Sequence, residues 1–377
     1  MIINGTFLLS DIIGSGSYGK VYKGVNTRTK AMIAAKIEEE QTLLDREIRV
    51  YKHLWNYKLD GFEEELHIPK IIWEGKTNGR RVLVLQRLGP SLDKLYDRMA
   101  RNWSEGTLLW IIARGLRLLR GLHHLGIVHR DIKPDNLCIG YRDPSKLFLL
   151  DFGLSLQYID PRGNHVPMQQ NKMSLIGTMR YASINNHHGV QQSRRDDLES
   201  LIYTCAYFWN HSLPWVRVAD AIVDRDEKNR KILENKLATA RSLFEKLHPL
   251  LAKFYEYTLA LDYNELPKYD YWIACFERAA SNTPEWVLER RRVNTRRTCK
   301  KSSTRSGSAS SEKGPRVHDR GGKGGRYDAD DGIGETRDVG NGGTAGAGGT
   351  AGAGGTAATE ALPALEALSA RAWRSHE

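Results

Sequence analysis

The stretch that most restricts this fold is His129-Arg130-Asp131-Ile132-Lys133-Pro134-Asp135-Asn136, followed fifteen residues after Asn136 by Asp151-Phe152-Gly153. The first segment offers a carboxylate and, five residues on, a carboxamide. The second offers another carboxylate at a turn hinged on Gly153. One of these groups can orient an acceptor hydroxyl, and the other two can hold a hard divalent cation, which is the set that phosphoryl transfer from a metal-bound nucleotide needs. An Asp at a turn or an Asn at a cap is commonplace by itself. The order and spacing of the whole set make that reading a poor account.

The apolar content of 40% is ordinary for a globular core, but it is unevenly spread. Residues 1 to about 289 are rich in Leu, Ile, Trp and Tyr, whereas from about 294 Gly, Ala, Ser, Thr and charge take over. The long part can bury a core and the tail cannot. Of the net charge of +11, residues 1–289 contribute +5 (40 Lys+Arg against 35 Asp+Glu) and the last 88 residues +6 (16 against 10). The tail's positive charge is concentrated between Arg290 and Lys301. A basic balance suits acidic partners or a solvated surface. Four scattered cysteines (Cys138, Cys205, Cys275, Cys299) argue against a disulfide framework and for a reducing compartment. No charged leader or apolar run of membrane-spanning length is present, so a soluble protein of the cytoplasm and/or nucleus is expected.

Residues 7–37 alternate as two strands around a Gly-rich turn, then a third strand ending at Lys36. Leu43 to Leu54 has helical spacing, Arg81 to Leu85 reads as a buried strand, and Leu108 to Leu125 as an amphipathic helix. Leu147 to Leu150 is a further strand. From Asp197 the pattern is helical, broken by Pro214, Pro249 and Pro267. Strands first and helices afterwards predict an α+β, bilobal fold over residues 1–290, with a β-rich lobe to about residue 88 and a helical lobe from about 89. Residues 291–377 read as a disordered tail, basic and then Gly/Ala/Thr-rich, with GGTAGA repeated at Gly342–Ala347 and Gly348–Ala353.

Gly14-Ser15-Gly16-Ser17-Tyr18-Gly19, then Val21, matches a phosphate-cradling loop, since glycines let backbone N–H groups approach phosphate oxygens. A dinucleotide-binding fold would need a helix directly afterwards, but Lys20 to Val25 looks like a strand. Lys36 closes an apolar strand, where a buried ammonium needs partners. Nucleotide phosphates and Glu47 are the expected ones. Glu47 is preferred over Glu38, Glu39 and Glu40 because its frame sets Ile48, Tyr51 and Leu54 on adjoining apolar positions. Asp131 is the expected base, Lys133 a cation beside the transferred group and a mark of serine/threonine specificity, and Asn136 and Asp151 the Mg²⁺ ligands. Ile13, Val21, Ala34, Leu85 and Leu88 are expected to form the adenine slot.

Further segments carry a resemblance. Leu88-Gly89-Pro90-Ser91-Leu92, Gly177-Thr178-Met179-Arg180-Tyr181-Ala182-Ser183-Ile184-Asn185, Gln192 to Ser200, Ser212-Leu213-Pro214-Trp215 and Tyr269-Asp270-Tyr271 resemble the casein kinase 1 family over roughly residues 7–280. Ser183-Ile184-Asn185 stands where most kinases have Ala-Pro-Glu. The resemblance implies a bilobal, monomeric serine/threonine kinase using ATP and Mg²⁺, needing no activation-loop phosphate and favouring acidic or phosphorylated protein substrates. Arg180, Lys228 and Lys172 match positions that read the substrate anion. Leu154-Ser155-Leu156-Gln157 departs from the family's usual lysines, and Val216-Arg217 from its Gln-Gly, so substrate preference is where this chain is expected to differ. Two rival readings are a catalytically weak pseudokinase scaffold and a nucleic-acid binder driven by the basic tail. The intact Lys36, Asp131, Asn136 and Asp151 oppose the first; the lack of a recognisable nucleic-acid motif opposes the second. The resemblance also suggests that the Ser/Thr-rich tail is autophosphorylated and docks on the basic cleft.

Overall fold

The computed structural model describes residues 1–16, 19–38, 41–57, 66–169, 173–219 and 221–289. Lys172, residues 58–65 and the whole tail lie outside the described residues.

Strands β1 (Ile2–Ile3), β2 (Phe7–Gly16), β3 (Gly19–Asn26) and β4 (Met32–Glu38) precede helix α1 (Gln41–Tyr57), which is followed by β5 (Ile71–Thr77) and β6 (Arg80–Gln86). They form one antiparallel sheet of six strands in the order β1-β2-β3-β4-β6-β5. Side chains alternate across a strand, and β4 uses both faces. Ile33, Ala35 and Ile37 join Phe7, Leu9, Val82 and Val84 in a small core. Ala34, Lys36 and Glu38 therefore take the opposite face. Helix α1 buries Leu44, Ile48, Tyr51 and Leu54, spaced by three or four residues, in the larger core. Glu47 lies on that same inward side.

The second part begins with α2 (Leu92–Arg98) and α3 (Glu105–His124), then the short strands β7 (Ile127–Val128), β8 (Leu137–Ile139), β9 (Leu147–Leu149) and β10 (Leu156–Gln157). Helices α4 (Ile184–His187), α5 (Arg194–Asn210), α6 (Pro214–Arg217), α7 (Arg225–Leu247), α8 (Pro249–Ala260) and α9 (Tyr269–Ala279) complete it. The division into a β-rich and a helical part is as the sequence predicts. The prolines do something more specific than break helices. Pro214 and Pro249 each occupy a first helical turn, where the missing N–H costs nothing, and Pro267 lies just ahead of α9.

Two features place the site. The β8–β9 ladder pairs Leu137 with Leu149, so Asn136 and Leu150 are neighbours and Leu150 N donates to Asn136 O (2.9 Å). The two motifs that are fifteen residues apart in sequence thus meet across a hairpin. At the mouth of the cleft between the two parts, Lys94 Nζ on α2 donates to Ile13 O on β2 (2.6 Å).

Candidate active site

Register brings the first cluster together. Lys36 pairs with Val21 on one side and Leu83 on the other, and Val21 pairs with Gly14, so the loop glycines and the lysine share one patch of sheet. Ala34 lies opposite Leu85 in the β4–β6 ladder. Leu88 is buried immediately beyond β6. Gly16 ends β2 and Gly19 begins β3. Gly19 has φ +147°, and a Cβ there would lie 2.4 Å from Ile37 O and 2.8 Å from Glu38 Cγ, so only glycine fits this close approach.

Lys36 Nζ donates to Glu47 Oε2 at 2.7 Å and lies 3.5 Å from Asp151 Oδ1. A third acid is present that the sequence reading assigned no role. Glu38 is 1% exposed, with Oε1 3.0 Å from Lys36 Nζ, as an ion pair rather than an aligned hydrogen bond. It lies two residues along the same strand face. Burial opposes the charge on Lys36, but Glu47, Asp151 and Glu38 outweigh it and raise the ammonium well above the usual lysine range. Complete burial pushes Glu47 up to about 7 against the pull of Lys36. Burial likewise raises Glu38. Asp151 differs: its side chain is 46% exposed to the open cleft. Burial within the cleft walls works against its charge, yet Lys36, His129 and Lys133 together hold its carboxyl below the usual range.

Asp131 and its neighbours form the second cluster. Asp131 Oδ2 accepts from Lys133 Nζ at 2.7 Å, and Oδ1 accepts from Thr178 N at 2.9 Å and Thr178 Oγ1 at 2.8 Å. Lys133 also reaches Thr178 Oγ1 at 3.2 Å. Asn136 Nδ2 donates to Asp131 O at 2.9 Å. An amide N–H is thereby used, and the side-chain carbonyl oxygen, an acceptor only, is the atom of Asn136 chemically able to ligate a cation. Thr178 was quoted in the sequence only as part of a longer likeness; its grip on Asp131 is a tertiary contact over 47 residues. Gly177, φ +87°, makes that approach possible, since a Cβ would lie 2.5 Å from Arg130 O.

The turn carrying Asp131 is strained and externally held. Arg130 has φ +68° and Asp151 φ +63°, both left-handed. Such residues cost about 1–3 kcal/mol each and persist only when their surroundings fix them. Asp197, buried on α5, accepts from His129 N (2.6 Å) and Arg130 N (2.8 Å), and bonds His123 Nε2 (2.8 Å). Phe152 is held edge-on between Tyr51 of α1 (4.9 Å) and His129 (5.3 Å), which leaves the preceding Asp151 facing the cleft. Two guanidiniums grip the chain just beyond: Arg130 Nε donates to Leu154 O and Arg46 Nη2 to Ser155 O, both at 2.6 Å.

The expected anion readers are less gathered. Arg180 is exposed on the segment that runs on from Thr178, its guanidinium over Tyr181 at 5.9 Å. Lys228 is half-buried near the start of α7. Among the described residues neither forms an ion pair, and no hydrogen bond links them. Lys172 lies outside the described residues.

A sequence-family model described as the protein kinase domain matches residues 7–265. The chain belongs to the protein kinase family. ATP and a divalent cation are therefore its implied co-reactants, and the donors suit them. Asn136, in the turn just before β8, and Asp151, just beyond the end of β9, offer hard oxygens of the kind that suit a divalent cation, few enough to leave room for phosphate and water. When bound, such a cation neutralises charge on the phosphates. Chemically, the Lys36 ammonium can act as a fixed positive charge toward phosphates, with Glu47 Oε2 2.7 Å away to hold it in place. The Asp131 carboxylate is chemically able to accept a hydroxyl proton. No helix among the described residues is long and apolar enough to cross a membrane.

Proposed function

We propose that this kinase acts on serine and threonine hydroxyls, transferring the γ-phosphoryl group of Mg-ATP to proteins with acidic or phosphorylated residues near the target, as casein kinase 1 enzymes do. The observation that carries the reading is the bridge of Lys133 Nζ between Asp131 Oδ2 and Thr178 Oγ1. It sets a cation beside the base, where charge accumulates on the transferred phosphoryl group. It also ties the base to the segment bearing Arg180, whose exposed guanidinium has no carboxylate partner among the described residues and suits a substrate anion. The carbonyl contacts of Arg46 and Arg130 support activity without an activation-loop phosphate, because they already hold Leu154 and Ser155.

The test is incubation of purified protein with Mg²⁺ and radiolabelled ATP on casein, followed by phosphoamino-acid analysis. Label on Ser and Thr, with a lower KM for a primed than an unprimed peptide, is the expected result. Label on Tyr would overturn the specificity, and no incorporation would leave a pseudokinase scaffold as the better account.

A further inference from the structure

The segment from Gly177 to His187 runs from the catalytic base into the helical part, and its far end is gripped by a lysine that belongs to neither motif. Lys236, on α7, is 0% exposed. Its Nζ donates to Ala182 O at 2.5 Å and lies 3.1 Å from His187 Nε2. Asn229 Oδ1 faces His187 Nδ1 at 2.5 Å. An amide oxygen can only accept, so Nδ1 carries the proton and Nε2 is free to accept from the lysine. The ammonium also lies over the Tyr203 ring (4.4 Å) and the Trp215 ring (5.3 Å). Among the described residues it makes no ion pair within 4.0 Å.

A lysine so deeply buried is costly unless its donors are used. Here they are used on backbone and side-chain acceptors of one short segment. Neighbouring groups act on the same residues. Trp215 Nε1 donates to Arg180 O at 2.9 Å, Ile184 N donates to Glu199 Oε1 at 2.8 Å, and Ser183 Oγ donates to Asp196 Oδ1 at 2.6 Å. Glu199 also accepts from Tyr203 OH at 2.5 Å, so the ring beneath the ammonium is itself fixed by a carboxylate. At the other end Thr178 is tied to Asp131. Residues 179–181, with Arg180 among them, are thus suspended between the catalytic base and the Lys236 cradle.

We propose that Lys236 is a positioning residue for the protein substrate, fixing the Arg180–Ser183 turn, through the Ala182 carbonyl, at the height where an acceptor chain lies beside Asp131. The proposal rests on the protein-kinase reading of Arg180 given above. Lys236 touches neither nucleotide nor acceptor, so its loss affects peptide recognition and leaves nucleotide handling alone.

The test uses the full-length protein and the variants Lys236→Met and Lys236→Gln. Peptide KM, ATP KM and peptide-independent ATP hydrolysis are measured for each, together with thermal melting. Wild-type phosphorylation of casein is established first; its absence would sink the function and not this inference. Removing a hydrogen-bond donor from two buried acceptors is expected to raise peptide KM about tenfold in the Met variant, with ATP KM and ATP hydrolysis changed less than about twofold. Gln keeps a donor but cannot reach both acceptors, and a rise of about threefold is expected. A folded Met variant with wild-type peptide KM overturns the proposal, as does a parallel loss of ATP hydrolysis and peptide phosphorylation. Should the Met variant fail to melt cooperatively, a folded Gln variant with unchanged peptide KM overturns it equally.

Discussion

At the residue scale, Lys36 is the point where the most charge converges. Three carboxylates, from β4, α1 and the turn after β9, lie within 3.5 Å of one ammonium. Glu47 and Glu38 are enclosed, whereas Asp151 opens to the cleft, so only Asp151 can turn outward to a phosphate-bound cation. Lys36→Met is therefore expected to leave buried acids unneutralised as well as to abolish turnover. Asp151→Asn removes one charge from an open site. Both variants are predicted to lose at least about a hundredfold in kcat, of the order found when one charge-stabilising group is removed. Turnover and melting curves together check this, and near-wild-type turnover in either would show that the site lies elsewhere. The gathering itself was legible: Lys36, Glu47, Asp131, Lys133, Asn136 and Asp151, singled out by their spacing, are the residues found in the two clusters. Glu38 was not, because three consecutive acids follow Ile37 and only the strand's last pleat decides which of them turns inward.

At the scale of the element, the segment between Asp151 and α5 includes, among its described residues, only short regular pieces, and side chains from elsewhere bond it at many points. Arg46, Arg130, Asp131, Asp196, Glu199, Trp215 and Lys236 each bond it. Periodicity predicts helices such as α1 and α3, whose apolar stripes recur in the sequence itself, but it says nothing about such a segment. Nor does it single out Lys236, one of four lysines in a highly charged helix, since burial of a lysine is decided by what packs on it. Strand β5 escaped for a related reason: its side chains are mostly half-buried and its pairing is irregular between Ile71 and Trp73, so no clean alternation survives. One consequence can be measured by acid titration. Burial, then the Lys236 ammonium, pull His187 down to about 3 from its ordinary 6.5. The unfolded chain therefore takes up this proton below about pH 6.5 while the folded one refuses it, and stability falls as pH drops through that window. His187→Asn is expected to flatten the decline of Tm between pH 6.5 and 3. An unchanged slope would mean that the imidazole is protonated in the folded protein.

Over the whole molecule, the broad division into two parts followed directly from the order of strands and helices. The way they are joined did not. The larger core runs from α1 through the helical part and leaves the outer face of the sheet with a small core of its own. α1 therefore belongs by packing to both parts, and Glu47 and Arg46, adjacent on it, serve Lys36 and the Ser155 carbonyl respectively. A sequence records neighbours along the chain; it does not record that one helix is shared.

The contact of Lys94 with Ile13 sets a clock on this arrangement. A net contribution of about 0.5–1.5 kcal/mol for one hydrogen bond leaves such a tie broken for roughly 7–30% of the time. If product nucleotide escapes only through that mouth, its residence time is the intrinsic value lengthened by the reciprocal of the open fraction. Lys94→Ala should then quicken ADP release roughly three- to fourteenfold, read by stopped-flow displacement of a fluorescent analogue; identical release rates would show that the exit lies elsewhere. Where release governs the catalytic cycle, the throughput of the enzyme becomes a matter of how often a single solvent-facing lysine lets go.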